Sequence, residues 1–209
     1  MSSPLVITAI QLLDAIGCTP NDTVRYGRHL REGMQFAEIN TRLRAAHYLA
    51  QIAHETGNLK WQEASEASGE ALEGRSDLGN TEPGDGLRFR PRGHLGLTGR
   101  ANYLAYGQWL HLGDLFVREP ELIAIKPRYA ALVAPWFWIE HQLNRLADKD
   151  DGGTTLMLLD EKGNGVRPGR TGLATNINTR LAEITRVISG GLTGIGARQA
   201  RFEKVKKVL

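Results

Sequence analysis

The stretch RLRAAHYLAQIAHETGN, from Arg42 to Asn58, constrains the fold of this chain more than any other. Leu43, Ala46, Ala50 and Ala53 recur at helical spacing, and Leu49 and Ile52 widen the apolar stripe, which predicts a helix set into a core. Thr41, or Asn40, suits its N-cap, and Gly57 just past the last periodic residue suits a left-handed C-terminal cap. His54 and Glu55 close the helix. A carboxylate there faces the negative end of the helix dipole, which disfavours its ionised form, the bias a general acid needs near neutral pH. A lone glutamate at a helix end is otherwise simply solvated.

A chain of 209 residues can bury a substantial core as one domain, or as two lobes around a cleft. Hydrophobic residues make up 41% and charged residues 23%, ordinary for a soluble globular protein, which argues against disorder. The one cysteine, Cys18, excludes an intramolecular disulfide, fits folding in a reducing compartment, and reads as a buried apolar side chain. The net charge of +3 favours anionic surfaces without demanding nucleic acid. The start, MSSPLVITAIQLLDAIG, lacks a basic region and is interrupted by Asp14, so no signal peptide is expected, and no run reaches the length of a membrane span.

Thr8 to Ile16 reads as a short helix with Ile10, Leu13 and Ile16 on one side and Gly17 ending it. Asn21 or Asp22 could cap a second helix through Leu30, stopped near Gly33. From Gly69 to Gly99 the many glycines, with Pro83 and Pro91, predict long loops holding at most short strands at Leu87–Phe89 and His94–Thr98. Helical signals return from Leu104 to Ala147: Trp109, Leu112, Leu115 and Phe116 can share a buried side, and an apolar helix is expected to start at Pro135. Asp148 to Gly172 is polar and glycine-rich, with the basic pair Arg167 and Arg170. A helix from about Asn178 to Ser189, a break at Gly190-Gly191 and a basic amphipathic helix from Ala197 to Val208 complete the chain; the last reads as a solvated face rather than a nucleic-acid contact.

Several site types fail on spacing. HETGN lacks the second histidine of a zinc-binding HExxH helix, and Gly93, Gly96 and Gly99 are not followed by the lysine–serine pair of a phosphate loop. No metal or cofactor is implied.

AHYLAQIAHET with Gly57 after it, Glu63, RGHLGLTGRANY from Arg92 to Tyr103, and the C-terminal VISGGLTGIGAR together resemble glycoside hydrolase family 19, which contains plant and bacterial chitinases and peptidoglycan-cleaving phage endolysins. The resemblance runs through most of the chain, except that the polar segment at about 148–172 is extra. It implies a mainly α, lysozyme-like fold: a single catalytic domain with a substrate cleft between a larger helical lobe and a smaller loop-rich one, the loop-rich insertion falling at about 64–100. Plant members are secreted and disulfide-bonded; this chain departs from them.

By that resemblance Glu55 is the acid, Glu63 the second carboxylate and Thr98 the hydroxyl that orients water. Ser68, Arg100, Asn102, Tyr103 and the acid's neighbour His54 would face substrate, and Arg198 would pair with the acid. Spacing leaves Glu66 as a competitor to Glu63, and a surface salt bridge as the alternative role of Arg100. An inverting glycosidase holds its two carboxylates roughly 6.5–9.5 Å apart, with room for water between them. Gly96 stands where the family usually has glutamine, and Ser189-Gly190-Gly191 where it has an asparagine motif. Both departures disfavour chitin and fit the bulkier N-acetylmuramic acid of peptidoglycan. The expectation is therefore an endolysin of the lysozyme type: a monomer in the cytoplasm of an infected bacterium, reaching the wall once a separate factor permeabilises the membrane. A chitinase and a non-catalytic wall-binding relative are the alternatives.

Overall fold

The computed structural model describes residues 5–166 and 171–209. Seven longer helices carry the architecture: α1 (Ala9–Ile16), α2 (Pro20–Phe36), α3 (Arg42–Glu55), α4 (Arg100–Trp109), α5 (Pro127–Glu140), α6 (Thr179–Ser189) and α7 (Ile195–Val208). The strands β1 (Thr154–Leu159) and β2 (Leu173–Asn178) pair antiparallel, Thr154 opposite Asn178 and Leu159 opposite Leu173. No helix among the described residues is long and apolar enough to cross a membrane.

The helix α3 is the hub. Thr41 caps it by accepting from the Arg44 amide, and every residue from Ala45 to Ala53 is buried. The stripe expected from the sequence widens to the whole circumference, because helices pack on all sides of it. Alanines at 45, 46, 50 and 53 let those neighbours approach closely. His47 and Gln51, which look polar in sequence, are wholly buried and find partners across the interfaces.

Two cores flank α5. One gathers α1, α2, α3, α6 and α7 around Tyr48, Trp138 and Phe202; the other gathers Phe89, Leu97, Tyr103, Tyr106 and Phe116 with the loop-rich segment. Ala130, Ala134 and Trp138 of α5 face the first core, and Leu132, Val133 and Trp136 the second. This is the larger helical lobe and smaller loop-rich lobe of a lysozyme-like fold.

Several local expectations change. Helix α1 buries Leu12, Ala15 and Ile16, while Ile10 is exposed. Thr19, not Asn21 or Asp22, caps α2 in a capping box with Asp22, and the helix continues through Gly33 to Phe36. Gly33 does not stop it because its missing side chain is a packing device: a β-carbon there would lie 3.0 Å from Pro135. Helix α5 starts at Pro127 and holds Pro135 inside it. Leu87 and Arg88 belong to a helical turn (Asp85–Arg88), not a strand, and the second expected strand reduces to single bridges from Arg92 to Glu63 and to Leu97.

The extra polar segment contains β1, the first strand of the β-hairpin, and ends just before β2. Asp150 at the hairpin's base accepts from Asn178 and bonds His47 of α3 at 2.8 Å, and Asn164 near its tip accepts from the Gly194 amide at 2.7 Å. Both ends are therefore tied to the elements around Glu55. Arg167 and Arg170 lie outside the described residues.

Candidate active site

Glu55 is the last residue of α3, and the chain must reverse beyond it. Gly57, Asn58 and Leu59 all take positive φ (55, 64 and 70°), a left-handed turn that non-glycine residues adopt only at a cost. Thr56 holds the turn: its hydroxyl donates to the Ile52 carbonyl at 2.7 Å and accepts from the Leu59 amide at 2.8 Å. The turn delivers Trp61, 65% exposed, so that its ring lies on Gly57. Two residues on, Glu63 sits on its bridge to Arg92.

Glu55 and Glu63 line one cleft of about 430 Å³, with Trp61, Gln62, Ser68 and Gly96 among its walls. Each carboxylate is anchored through a single oxygen. Arg198 of α7, buried, donates to Oε1 of Glu55. Arg92, buried, donates to Oε1 of Glu63 at 2.5 Å, and Arg90 reaches the same oxygen at 2.7 Å. Neither Oε2 has a protein partner among the described residues, which leaves one oxygen of each carboxylate for chemistry.

Glu63, not Glu66, is thus the acid that shares the cleft with Glu55; Glu66 is exposed at the start of a short helical turn (Glu66–Glu70) and does not line it. Ser68 lines it, its hydroxyl 3.2 Å from that of Ser65. Thr98 stands behind the wall, where its hydroxyl donates to the Gly96 carbonyl at 2.6 Å. Asn102 donates to the Thr98 carbonyl at 2.8 Å.

Three further expected substrate contacts have other duties. Arg100 forks onto buried Asp85 at 2.5 and 2.8 Å and lies over Phe89, holding Asp85 below the usual carboxylate range. This is the salt-bridge alternative. Tyr103 is wholly buried; its hydroxyl accepts from Arg92 and donates to the Arg90 carbonyl, so it supports the arginines of Glu63. His54 packs on Gly194 and does not line the cleft. Burial, then the charges of Arg198 and Arg201, lowers its pKa to about 4, so it is neutral at pH 7. Arg198, buried, pairs with Glu55 as expected and does not line the cleft.

Sequence reading missed Gln51, Thr56, Arg90 and Arg92. The run RFRPR from Arg88 to Arg92 is a visible signal, three arginines at alternate positions beside a segment that must hold a carboxylate. Gln51 and Thr56 give no such signal, because their partners are remote in sequence or are backbone groups.

The Gly57 contact yields a prediction. In Gly57→Ala the added methyl group overlaps the Trp61 ring and adopts a left-handed backbone, so stability should fall by about 1–2 kcal/mol. Urea unfolding checks the loss, and Trp61 fluorescence should report a displaced ring.

No family profile matches the chain. Among curated proteins it is 36% identical over 58 residues to an acidic 26 kDa endochitinase of Solanum lycopersicum, a match spanning 28% of this chain and 23% of that protein. It is 28% identical over 120 residues to a glycosyl hydrolase family 19 domain-containing protein of Haemophilus influenzae, spanning 57% of this chain and 42% of that one. The matches thus span less than half the length of these relatives. Among solved structures, chitinase C of Streptomyces griseus aligns over 99% of this chain and 78% of its own at a TM-score of 0.62 with 19% identity. A class IV chitinase of Zea mays aligns over 97% of this chain and 81% of its own at 0.56 with 17% identity. The chain is thus similar in sequence, over part of its length, to a family 19 glycosyl hydrolase domain protein, and its fold over nearly all of its length is that of the two chitinases.

Proposed function

We propose that this cleft hydrolyses the glycan strand of bacterial peptidoglycan, as the endolysin of a bacteriophage. The observation that carries the reading is the pair Glu55 and Glu63 on one cleft, each with Oε1 anchored by arginine and Oε2 without a protein partner. Glycoside hydrolysis needs two such groups. Glu55 gives its proton to the leaving glycosidic oxygen as the bond to the anomeric carbon breaks. Water attacks that carbon from the opposite face and gives its proton to Glu63, a single displacement with inversion. Arg198 is placed to offset the charge Glu55 gains. Thr98 does not meet the water directly but braces the Gly96 segment of the cleft wall through its hydroxyl, and Trp61 offers a flat apolar face to a sugar ring.

Gly96 and Ser189, at positions where the family carries larger polar side chains, favour peptidoglycan over chitin. Chitin is the second reading, favoured by the chitinase names of the relatives. The protein acts as a monomer in this account. It accumulates in the host cytoplasm and reaches the wall only after another factor opens the membrane.

Sedimentation with purified sacculi, run beside clearing of outer-membrane-permeabilised cells, tests the proposal. Binding with clearing is expected. Binding without clearing would make the chain a wall-binding relative, and solubilisation of colloidal chitin alone would make it a chitinase.

A further inference from the structure

Gln51 and Glu55 stand one helical turn apart on α3, on the same face, and both grip the guanidinium of Arg198. Arg198 Nη1 donates to Oε1 of Gln51 and Nη2 to Oε1 of Glu55, while its Nε points to the Thr193 carbonyl at 3.4 Å. Gln51 and Thr185 are completely buried, and Gln51 Nε2 donates to the Thr185 hydroxyl at 3.0 Å. The guanidinium, which can only donate, fixes which way the amide faces: its oxygen meets the arginine, and its nitrogen is left to the Thr185 hydroxyl of α6. The reverse orientation would set an NH₂ group against a guanidinium, donor against donor.

An arginine beside a carboxylate tends to form a two-pronged fork that takes both oxygens. Here the second prong is diverted to Gln51, and Glu55 keeps one oxygen without a protein partner. We propose that Gln51, anchored by Thr185, is a positioning residue that stops Arg198 from closing on both oxygens of Glu55 and so keeps the acid able to hold and deliver a proton. The inference rests on Glu55 being the acid of the proposed reaction.

Other charged groups around Glu55 bear on the test. His54 of α3 and Arg201 of α7 lie close by, and Glu63 with Arg90 and Arg92 shares the cleft. None of them changes in the variants below, so differences from wild type report the Gln51 contact.

The experiment is a ¹³C carboxyl NMR titration of the full chain, with the Glu55 signal assigned by its loss in Glu55→Gln, run beside the pH profile of hydrolysis of sacculi. Gln51→Met keeps the bulk and removes the diversion. Arg198 then forks onto Glu55, whose midpoint should fall by about one pH unit, with kcat lower by about tenfold and KM little changed. Gln51→Glu competes for the guanidinium and should move the midpoint the opposite way. Thr185→Val, which removes the anchor of the amide nitrogen and loosens its hold on the arginine, should follow Gln51→Met by a smaller amount and carries the test if substitution at 51 prevents folding. Midpoints in the folded variants that match wild type would overturn the inference. A wild type that titrates normally at Glu55 but cleaves no glycan would instead overturn the proposed activity, with the NMR comparison still deciding the role of Gln51.

Discussion

Glu55→Gln should lose at least a hundredfold in rate on any glycan the wild type cleaves, because the glutamine amide cannot supply the proton the leaving oxygen needs. The fold should survive, since the amide oxygen still accepts from Arg198. Stability should nevertheless drop by about 1–3 kcal/mol, because the guanidinium is buried and loses its counter-charge. Circular dichroism and urea unfolding separate the two effects: a native spectrum with a lower midpoint and no turnover is expected. Retention of most activity would remove Glu55 from the acid role. Glu63→Gln should also stop turnover, and it strands two arginines, so its cost in stability should be comparable.

The second large effect is acid unfolding. His94 lies in the segment behind the cleft wall, wholly buried, edge-on to Tyr26, and neither ring nitrogen has a hydrogen-bond partner among the described residues. Burial lowers its pKa to about 3 from an ordinary 6.5. Its folded pKa lies below its unfolded one, so protons favour the unfolded chain. Stability is therefore full above about pH 6.5 and falls as pH drops towards 3, by on the order of 5 kcal/mol in total. Asp150 adds a second, lower step. Burial raises its pKa, but hydrogen bonds from His47, Asn178 and the Gly152 amide outweigh that and bring it to about 2. A depressed carboxylate stabilises the fold above its unfolded pKa of 3.8, and the contribution disappears as pH falls to 2. Urea midpoints at pH 7, 5 and 4 should decline in wild type and decline much less in His94→Leu, which removes the proton acceptor and two unpaired polar atoms together. Equal slopes in the two proteins would show that His94 is not the acid-labile group.

The legible part of the molecule follows from where local chemistry decides the outcome. The periodicity of α3, its cap at Thr41 and the position of Glu55 at its end are properties of one short segment, and the structure keeps all three. Glu63 was legible only as one of two acids, because choosing between it and Glu66 depends on a turn of three left-handed residues that only Gly57 foreshadows. Tyr103 and Arg100 were misassigned for a related reason. Their neighbours in sequence border the cleft, yet the rotation of α4 turns Tyr103 into the second core and Arg100 onto Asp85. The hairpin was hidden by averaging: Asp148 to Gly172 is polar as a whole, but Thr154–Leu159 within it is β-branched and apolar. Its pairing partner begins only at Leu173, beyond the polar run. Helix α5 shows the opposite error, in which a proline read as a start is accommodated inside a helix packed from both sides.

Mass spectrometry of the material released from purified sacculi tests the central claim most directly. The account predicts soluble muropeptides with new reducing ends at one glycosidic linkage, produced by wild type and absent with Glu55→Gln. Sacculi that bind the protein yet release no reducing ends, or that release peptides with every glycan strand intact, would contradict it.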